Sequence, residues 1–220
     1  MGTLVGFVTN SLEWLYQVTL QIGIPSYALA IVLLTVIIKI LLYPLTYKQM
    51  KSMKVMQELQ PKIKDLDKKY KNDPQKKQQA IMELYKEHGA NPMSGCLPLL
   101  IQFPILIALF RGLQTFQPSN IDHYNFLWIS DLSKADPSGI ILPVLVGLST
   151  FLQQYITSPN ASDSTQKTLL YVMPILFGFM TRSFPAGLAF YWIVFSVVGT
   201  IQQLIINKGI KPQPVKESVK

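Results

Sequence analysis

Charge is what this 220-residue chain has least of: Asp, Glu, Lys and Arg make up 15% of it, against about 25% in an ordinary soluble domain, while 49% of its residues are hydrophobic. That balance argues against a soluble enzyme. Cysteine is nearly absent too. With Cys96 alone, a disulfide framework and any multi-cysteine zinc or iron–sulfur site are excluded, and nothing follows about redox compartment. No glycine-rich phosphate loop occurs, so the sequence shows no nucleotide motor. Residues 1–38 carry neither Lys nor Arg, so this stretch does not read as a secretory signal, which needs a basic start.

What is present is a set of apolar runs: 27–47, interrupted by Lys39, then 96–113, 140–156, 169–181 and 187–206, most of them near the ~20 residues that cross a bilayer core. These predict five membrane spans. None of the runs contains Asp or Glu, and His88 and His123 lie outside them, so an intramembrane protease or a proton-driven carrier lacks its usual acid or base. The run 169–181 is short, about 20 Å of helix against a core of roughly 30 Å, which points to local thinning or to packing behind longer spans.

Eleven of the twenty basic residues fall between Lys48 and Lys86, and short basic segments stay cytoplasmic. With that segment inside, alternation leaves sixteen basic residues inside and two, Lys134 and Arg182, outside, with Lys39 and Arg111 within spans. The N-terminus is then external and the C-terminus cytoplasmic. Residues 1–24 are apolar but broken by Asn10 and Glu13, and they carry Trp14 and Tyr16. A helix on the outer membrane surface fits them better than a sixth span.

The basic segment has its own pattern. Met56, Leu59, Ile63, Leu66 and Tyr70 form one helical stripe and Ile81, Leu84, Tyr85 and His88 a second, with Asn72-Asp73-Pro74 between them as cap and first turn. This predicts a helical hairpin. Pro61 sets a kink or a restart at Gln60, and Gly89 with Asn91-Pro92 ends the second helix. Its lysines serve either as a solvated topology determinant or as a docking surface for a partner or anionic lipid. Base-stacking aromatics are not interleaved with them, so no nucleic acid is read by sequence.

Polar residues inside the runs keep helical phase. Thr35, Lys39, Tyr43 and Thr46 share one face of the first span, Trp192, Ser196, Thr200 and Gln203 one face of the last, and Ser149, Thr150, Gln153 and Gln154 cluster on the third. Hydroxyls and amides of this kind can simply bond across helices. Lys39 is different: its Cα lies about 12 Å inside the cytoplasmic interface, so its ammonium either snorkels or sits in a water-containing cavity. Arg111 needs no more than an outer-interface anchor.

The runs LLYPLTYKQMKSMKVMQELQPKIKDLDKKYKNDPQK, LYKEHGANPMSGCLPLLIQFPILIALFR and FPAGLAFYWIVFSVVGTIQQ resemble the YidC/Oxa/Alb family of membrane protein insertases over about residues 27–207. The segments 91–104 and 185–192 are the specific ones. The short form, without a large external domain, resembles proteins from Gram-positive bacteria, and the lack of a lipobox cysteine near residue 1 sets it apart from the lipoprotein versions. The resemblance implies an all-α integral membrane protein: five transmembrane helices around a hydrophilic groove open to cytoplasm and lipid, a cytoplasmic helical hairpin and an N-terminal amphipathic helix.

On that basis the segments are 1–24 (external interfacial helix), 25–47 (first span), 48–92 (hairpin), 93–117 (second span), 118–138 (external loop), 139–157 (third span), 158–167 (cytoplasmic loop), 168–183 (fourth span), 186–207 (fifth span) and 208–220 (basic tail). The resemblance puts Lys39 where the family usually has the arginine that receives hydrophilic stretches of a nascent chain. Lysine keeps the charge and loses the bidentate fork. Thr35, Gln153 and Trp192 stand where groove-lining residues fall, and Tyr43, Ser196 and Thr200 join them through the polar stripes. The implied partners are nascent membrane proteins and the lipid bilayer, with the Sec translocon, the ribosome and the signal-recognition-particle receptor as candidates. No cofactor or catalytic residue is implied. A small channel or anion carrier using Lys39 is the other reading, although no internal repeat supports it.

Overall fold

The computed structural model describes residues 2–91, 97–115, 121–157 and 164–209. Pro92, Cys96, most of the expected loop 158–167 and tail residues 210–220 lie outside them. The described residues form nine α-helices, α1 (Gly2–Gln21), α2 (Tyr27–Leu41), α3 (Tyr43–Glu58), α4 (Gln60–Lys69), α5 (Pro74–Glu87), α6 (Leu97–Thr115), α7 (Ile141–Thr157), α8 (Ser164–Thr181) and α9 (Ala186–Gly209). A 3₁₀ turn spans Ile121–Tyr124, and the one strand-like pairing among the described residues is an isolated bridge between Phe126 and Ile129. The chain divides into two compact units, Met1–Leu42 with Leu100–Gln203, and Tyr43–Leu99 with Leu204–Lys220.

The first unit is built inside out by the standards of a soluble protein. Its core is apolar and aromatic where α1, α2, α6 and α9 meet, with Leu12, Tyr16, Tyr27, Ile31, Leu109, Leu113 and Tyr191 all buried. Yet Thr35, Lys39, Gln102, Thr150, Ser196, Thr200 and Gln203 are buried as well, while Val144 and Leu148 on α7, Ile175 and Phe179 on α8, and Val197 and Ile201 on α9 are exposed. Polar residues inside and large apolar ones outside is the arrangement that lipid, not water, stabilises, because water would leave a broad apolar surface uncovered.

By length and composition α9 is the one described helix able to cross a bilayer alone. α2 and α3 qualify together as a broken span, and Leu100–Leu113, Ile141–Thr157 and Leu170–Thr181 are shorter apolar helices. Helices α7 and α8 touch backbone to backbone. A Cβ on Gly178 would lie 2.7 Å from the Pro143 carbonyl oxygen, and one on Gly147 would lie 3.3 Å from that of Pro174. Small residues permit this approach, as is usual where apolar helices pack without a hydrophobic driving force.

Residues 121–140 fasten four helices at one end. The Tyr16 hydroxyl bonds His123 Nδ1 at 2.6 Å, and Tyr124 stacks on Tyr27 with ring centroids 4.5 Å apart. The amides of Ala186 and Gly187, which open α9, donate to the carbonyls of Lys134 (2.6 Å) and Leu132 (2.8 Å), supplying partners that a helix N-terminus lacks. Asp136 caps α7 by accepting from the Leu142 amide at 2.9 Å, and it also accepts from Ser138 N, Ser138 Oγ and Trp128 Nε1. Burial would raise the Asp136 carboxyl, but these hydrogen bonds overcome it and hold it below the ordinary carboxylate value. Helix α1 belongs to this assembly: Tyr16, expected at a headgroup surface, is a core residue, whereas Trp14 is exposed.

The second unit follows its local signals closely. α4 restarts at Gln60 with Pro61 in its first turn, α5 is capped by Asp73 accepting from the Lys76 amide at 3.0 Å with Pro74 following, and Gly89 ends α5 at φ +64°. Of the two apolar stripes, Leu59 and Leu84 are buried and Met56, Ile63, Leu66, Tyr70, Ile81 and Tyr85 half-buried. The seam is therefore narrow. The base is tied where the Asn91 amide donates to Ser52 Oγ at 2.9 Å.

Candidate functional site

The residues that form the site come from α2, α7 and α9, and one glycine explains why they meet. Gly199 presents bare backbone on α9. A Cβ there would collide with the Gln153 amide nitrogen from α7 and would come within 2.9 Å of Lys39 Nζ from α2. Both polar heads therefore lie over a strip of α9 that no other residue type would leave open.

Lys39 is 7% exposed. Its ammonium stands over the face of Phe195, 3.3 Å from the ring centroid, where the negative face of the ring offsets part of the charge. Among the described residues no carboxylate forms an ion pair with it. Its backbone carbonyl accepts from Gln202 Nε2 at 3.1 Å, a second link from α2 to α9.

The link from α7 to α9 is Trp192 Nε1 donating to Thr150 Oγ1 at 2.9 Å, with the indole stacked on Phe177 at 4.6 Å between centroids. The hydroxyls of Thr35 and Thr200 turn back onto their own helices, to the carbonyls of Ile31 (2.6 Å) and Ser196 (2.9 Å), which satisfies them without a neighbour. Ser196 Oγ, Gln154 Oε1 and Gln202 Oε1 are buried with no hydrogen-bond partner among the described residues. Buried polar atoms in that state need water or a guest molecule.

Of the residues expected from the sequence, Lys39 and Gln153 share the space over Gly199, with Ser196 and Thr200 on the same stretch of α9 and Trp192 beside Thr150. Thr35 is fully buried one turn before Lys39. Tyr43 opens α3 beyond Leu42, belongs to the second unit and is 39% exposed. Gly199 and Phe195 were not expected. The signal for the first was available, a glycine one residue before Thr200 in a long apolar helix, where conformational cost argues for a packing or functional reason. Phe195 is one of 11 phenylalanines and nothing in the sequence sets it apart.

The family described as 60Kd inner membrane protein matches residues 18–213. The chain is 46% identical over 201 residues to a membrane protein insertase YidC from Wolinella succinogenes, covering 91% of this chain and 36% of that one. It is 47% identical to the protein of the same description from Campylobacter jejuni subsp. jejuni, over 84% of this chain and 35% of the other. Among solved structures it is similar to an active YidC insertase crystal structure with the first transmembrane domain resolved, at a TM-score of 0.70 and 31% identity, over 93% of this chain and 45% of that one. The chain thus spans about a third of the length of the curated relatives it matches. The inside-out helical bundle and the matched span of residues agree: this chain is an all-helical membrane protein that belongs to the 60Kd inner membrane protein family.

Proposed function

We propose that the chain is a membrane protein insertase, which receives hydrophilic segments of a nascent membrane protein around Lys39 and releases their hydrophobic segments sideways into the bilayer. The observation that carries this reading is Lys39 itself, a buried ammonium with no carboxylate partner among the described residues, which shares the space over Gly199 with the Gln153 amide. A charge kept at that cost is retained for a guest, because replacing it with an apolar residue would be the cheaper way to pack the bundle.

On this reading five spans enclose a hydrophilic groove open to the cytoplasm and to lipid and closed on the other side. An acidic or polar stretch entering the groove exchanges part of its hydration for Lys39, Gln153 and Ser196, in surroundings where the attraction is stronger than in water. Its apolar neighbour meets the exposed face of α7, α8 and α9, which is as apolar as the acyl chains it enters next. The nascent chain is handed over by the Sec translocon or arrives from the ribosome directly, and the signal-recognition-particle receptor is a further candidate partner for the basic hairpin.

Photocrosslinking from position 39 during translation of a small membrane protein tests the proposal: the nascent chain should be captured while its hydrophilic segment is crossing. Capture of none of several substrates would overturn it. The topology, with the N-terminus external and the C-terminus cytoplasmic, is tested by cysteine labelling in a Cys96→Ser background. A cysteine at Asn125 should react from outside intact cells and one at Gln75 only after the membrane is breached. The channel or anion-carrier reading predicts instead that purified protein in vesicles conducts small anions without any nascent chain.

A further inference from the structure

Phe126 and Ile129 exchange both backbone hydrogen bonds, at 2.8 and 2.9 Å, so Leu127 and Trp128 form a two-residue turn at the tip of the 121–140 loop. Leu127 holds φ at +53°. Every other positive-φ residue among those described is a glycine: Gly23, Gly89 and Gly139. A bulky side chain in that region strains the backbone, and glycine would remove the strain. Leucine there needs a use for its side chain, since strain of this kind is kept where the surroundings hold it for a purpose.

The side chain does nothing for the fold, being 77% exposed. The root of the turn, in contrast, is fixed. Ile129 is buried, Phe126 packs on Phe190 with centroids 4.6 Å apart, and Trp128 Nε1 is tied to Asp136 at 3.2 Å, leaving the indole 37% exposed. Ile140 and Ile141 are exposed at the start of α7, and the apolar outer face of that helix, Val144 and Leu148, continues from them. A leucine and an indole on a stalk tied through Asp136 to the start of α7, whose outer face is apolar, match the chemistry of the layer between headgroups and acyl chains, where tryptophan concentrates.

We infer that the Leu127–Trp128 turn is a membrane-surface anchor, which seats these two side chains at the boundary of headgroups and acyl chains and so fixes the depth of the 121–140 loop. The partner is the phospholipid surface as an apolar boundary, not a particular headgroup. Because the same loop caps α7 and α9 and contacts α1 and α2, anchoring it holds one end of the bundle at a set depth. This rests on the reading of the helices as membrane-embedded, and the test separates the two.

Trp128 is made the single tryptophan by Trp14→Phe and Trp192→Phe, and the full chain is placed in phosphatidylcholine vesicles with bromine on the acyl chains at a shallow or a deep position. Shallow bromines should lower Trp128 emission about two-fold, deep ones less, and aqueous iodide should have little effect, as for a side chain a few ångströms into the interface. A parallel chain carries Phe179→Trp on the exposed face of α8 with the three native tryptophans replaced by phenylalanine.

Quenching of the Phe179→Trp reporter by bromolipid without quenching of Trp128 overturns the anchor and leaves the membrane reading intact. No quenching of either overturns both. Protection of Trp128 from bromolipid and iodide alike would mean a protein covers the turn, which also overturns the anchor. Leu127→Gly should keep or raise the thermal midpoint while shifting Trp128 emission to longer wavelength, and an unchanged spectrum would remove Leu127 from the anchor. Where Trp192→Phe does not fold, a nitroxide on Leu127→Cys in a Cys96→Ser chain gives the same reading. Relaxation by oxygen should exceed relaxation by an aqueous nickel complex, and the reverse overturns the proposal.

Discussion

The two units of this chain place polar groups in opposite ways. In the first, Lys39, Gln102, Thr150, Ser196, Thr200 and Gln203 are buried and aliphatic side chains are on the outside. In the second, lysines cover the outer faces of α4 and α5, the buried apolar residues of the two hairpin stripes reduce to Leu59 and Leu84, and exposed ion pairs join Lys68 to Asp65, Lys76 to Asp73 and Lys77 to Asp67. A charge costs little where water reaches it and a great deal where it does not. The many charges of the second unit are therefore cheap and individually dispensable, whereas the single buried ammonium of the first is the one whose removal changes most.

Lys39 gives the sharpest way to break that comparison. Lys39→Met keeps the length of the side chain and removes a buried charge with no carboxylate beside it among the described residues, so the variant should unfold at a temperature no lower than the parent. Insertion of substrates with charged external tails should fall about tenfold or more, the factor that ~1.4 kcal/mol of lost attraction represents. Lys39→Arg should retain insertion. The measurement pairs thermal unfolding in detergent with an insertion assay in vesicles. A Lys39→Met chain that inserts every substrate normally would show that the charge plays no part in insertion.

The next largest effect contrasts two glycines of the same unit. Gly178→Ala puts a methyl group 2.7 Å from the Pro143 carbonyl oxygen, a backbone atom that can move only if α7 moves. Overpacking of this kind costs about 1–3 kcal/mol, and the thermal midpoint should fall accordingly. Gly199→Ala meets only the far ends of Gln153 and Lys39, which can swing away, so it should cost little in stability yet displace both heads and reduce insertion. Equal loss of stability in the two variants would mean the Lys39 cluster is as rigidly packed as the α7–α8 contact.

What could be read in the sequence, and what could not, follows from the range of each interaction. Asp73 before Pro74, the restart at Gln60 ahead of Pro61 and the stop at Gly89 are decided within a few residues, and all three are where local chemistry puts them. Lys39 was legible for a similar reason, since a cation within an apolar run is conspicuous whatever surrounds it. The rest depends on register between helices. That Gly199 sits opposite Gln153 and Lys39, that Phe195 lies under the ammonium, and that Tyr16 finds His123 across 107 residues are facts of packing that no periodicity encodes. A helical spacing also cannot announce where one helix gives way to the next, as α2 does to α3 at Leu42.

A smaller effect is expected at Asp136. Asp136→Ala removes the α7 cap and leaves Trp128 Nε1 and the Leu142 amide unpaired, which should lower stability by about 1–2 kcal/mol. The carboxyl is held below its ordinary value in the folded chain, so it contributes stability that is fully present above the unfolded carboxylate value of about 3.9. That contribution is lost as pH falls through the lower, folded value. Unfolding midpoints measured from neutral pH down into that acid range should therefore converge for the parent and Asp136→Ala chains. A difference that stays constant with pH would assign the effect to packing of the side chain and not to its charge.

The smallest effect belongs to the second unit and tests the comparison from its other side. The Lys77–Asp67 pair joins α4 to α5 at 3.3 Å, and its side chains are 37% and 49% exposed. At that exposure water screens most of the attraction, and holding two flexible side chains together offsets much of what remains, so Asp67→Asn should change stability by no more than about 0.5 kcal/mol. Raising the salt concentration should shrink even that difference. Leu84→Ala in the same hairpin removes one of its few buried side chains and should cost about 2 kcal/mol or more. If Asp67→Asn cost as much as Leu84→Ala, the ion pairs and not the narrow seam would hold α4 against α5, and the charges of this unit could no longer be regarded as individually dispensable.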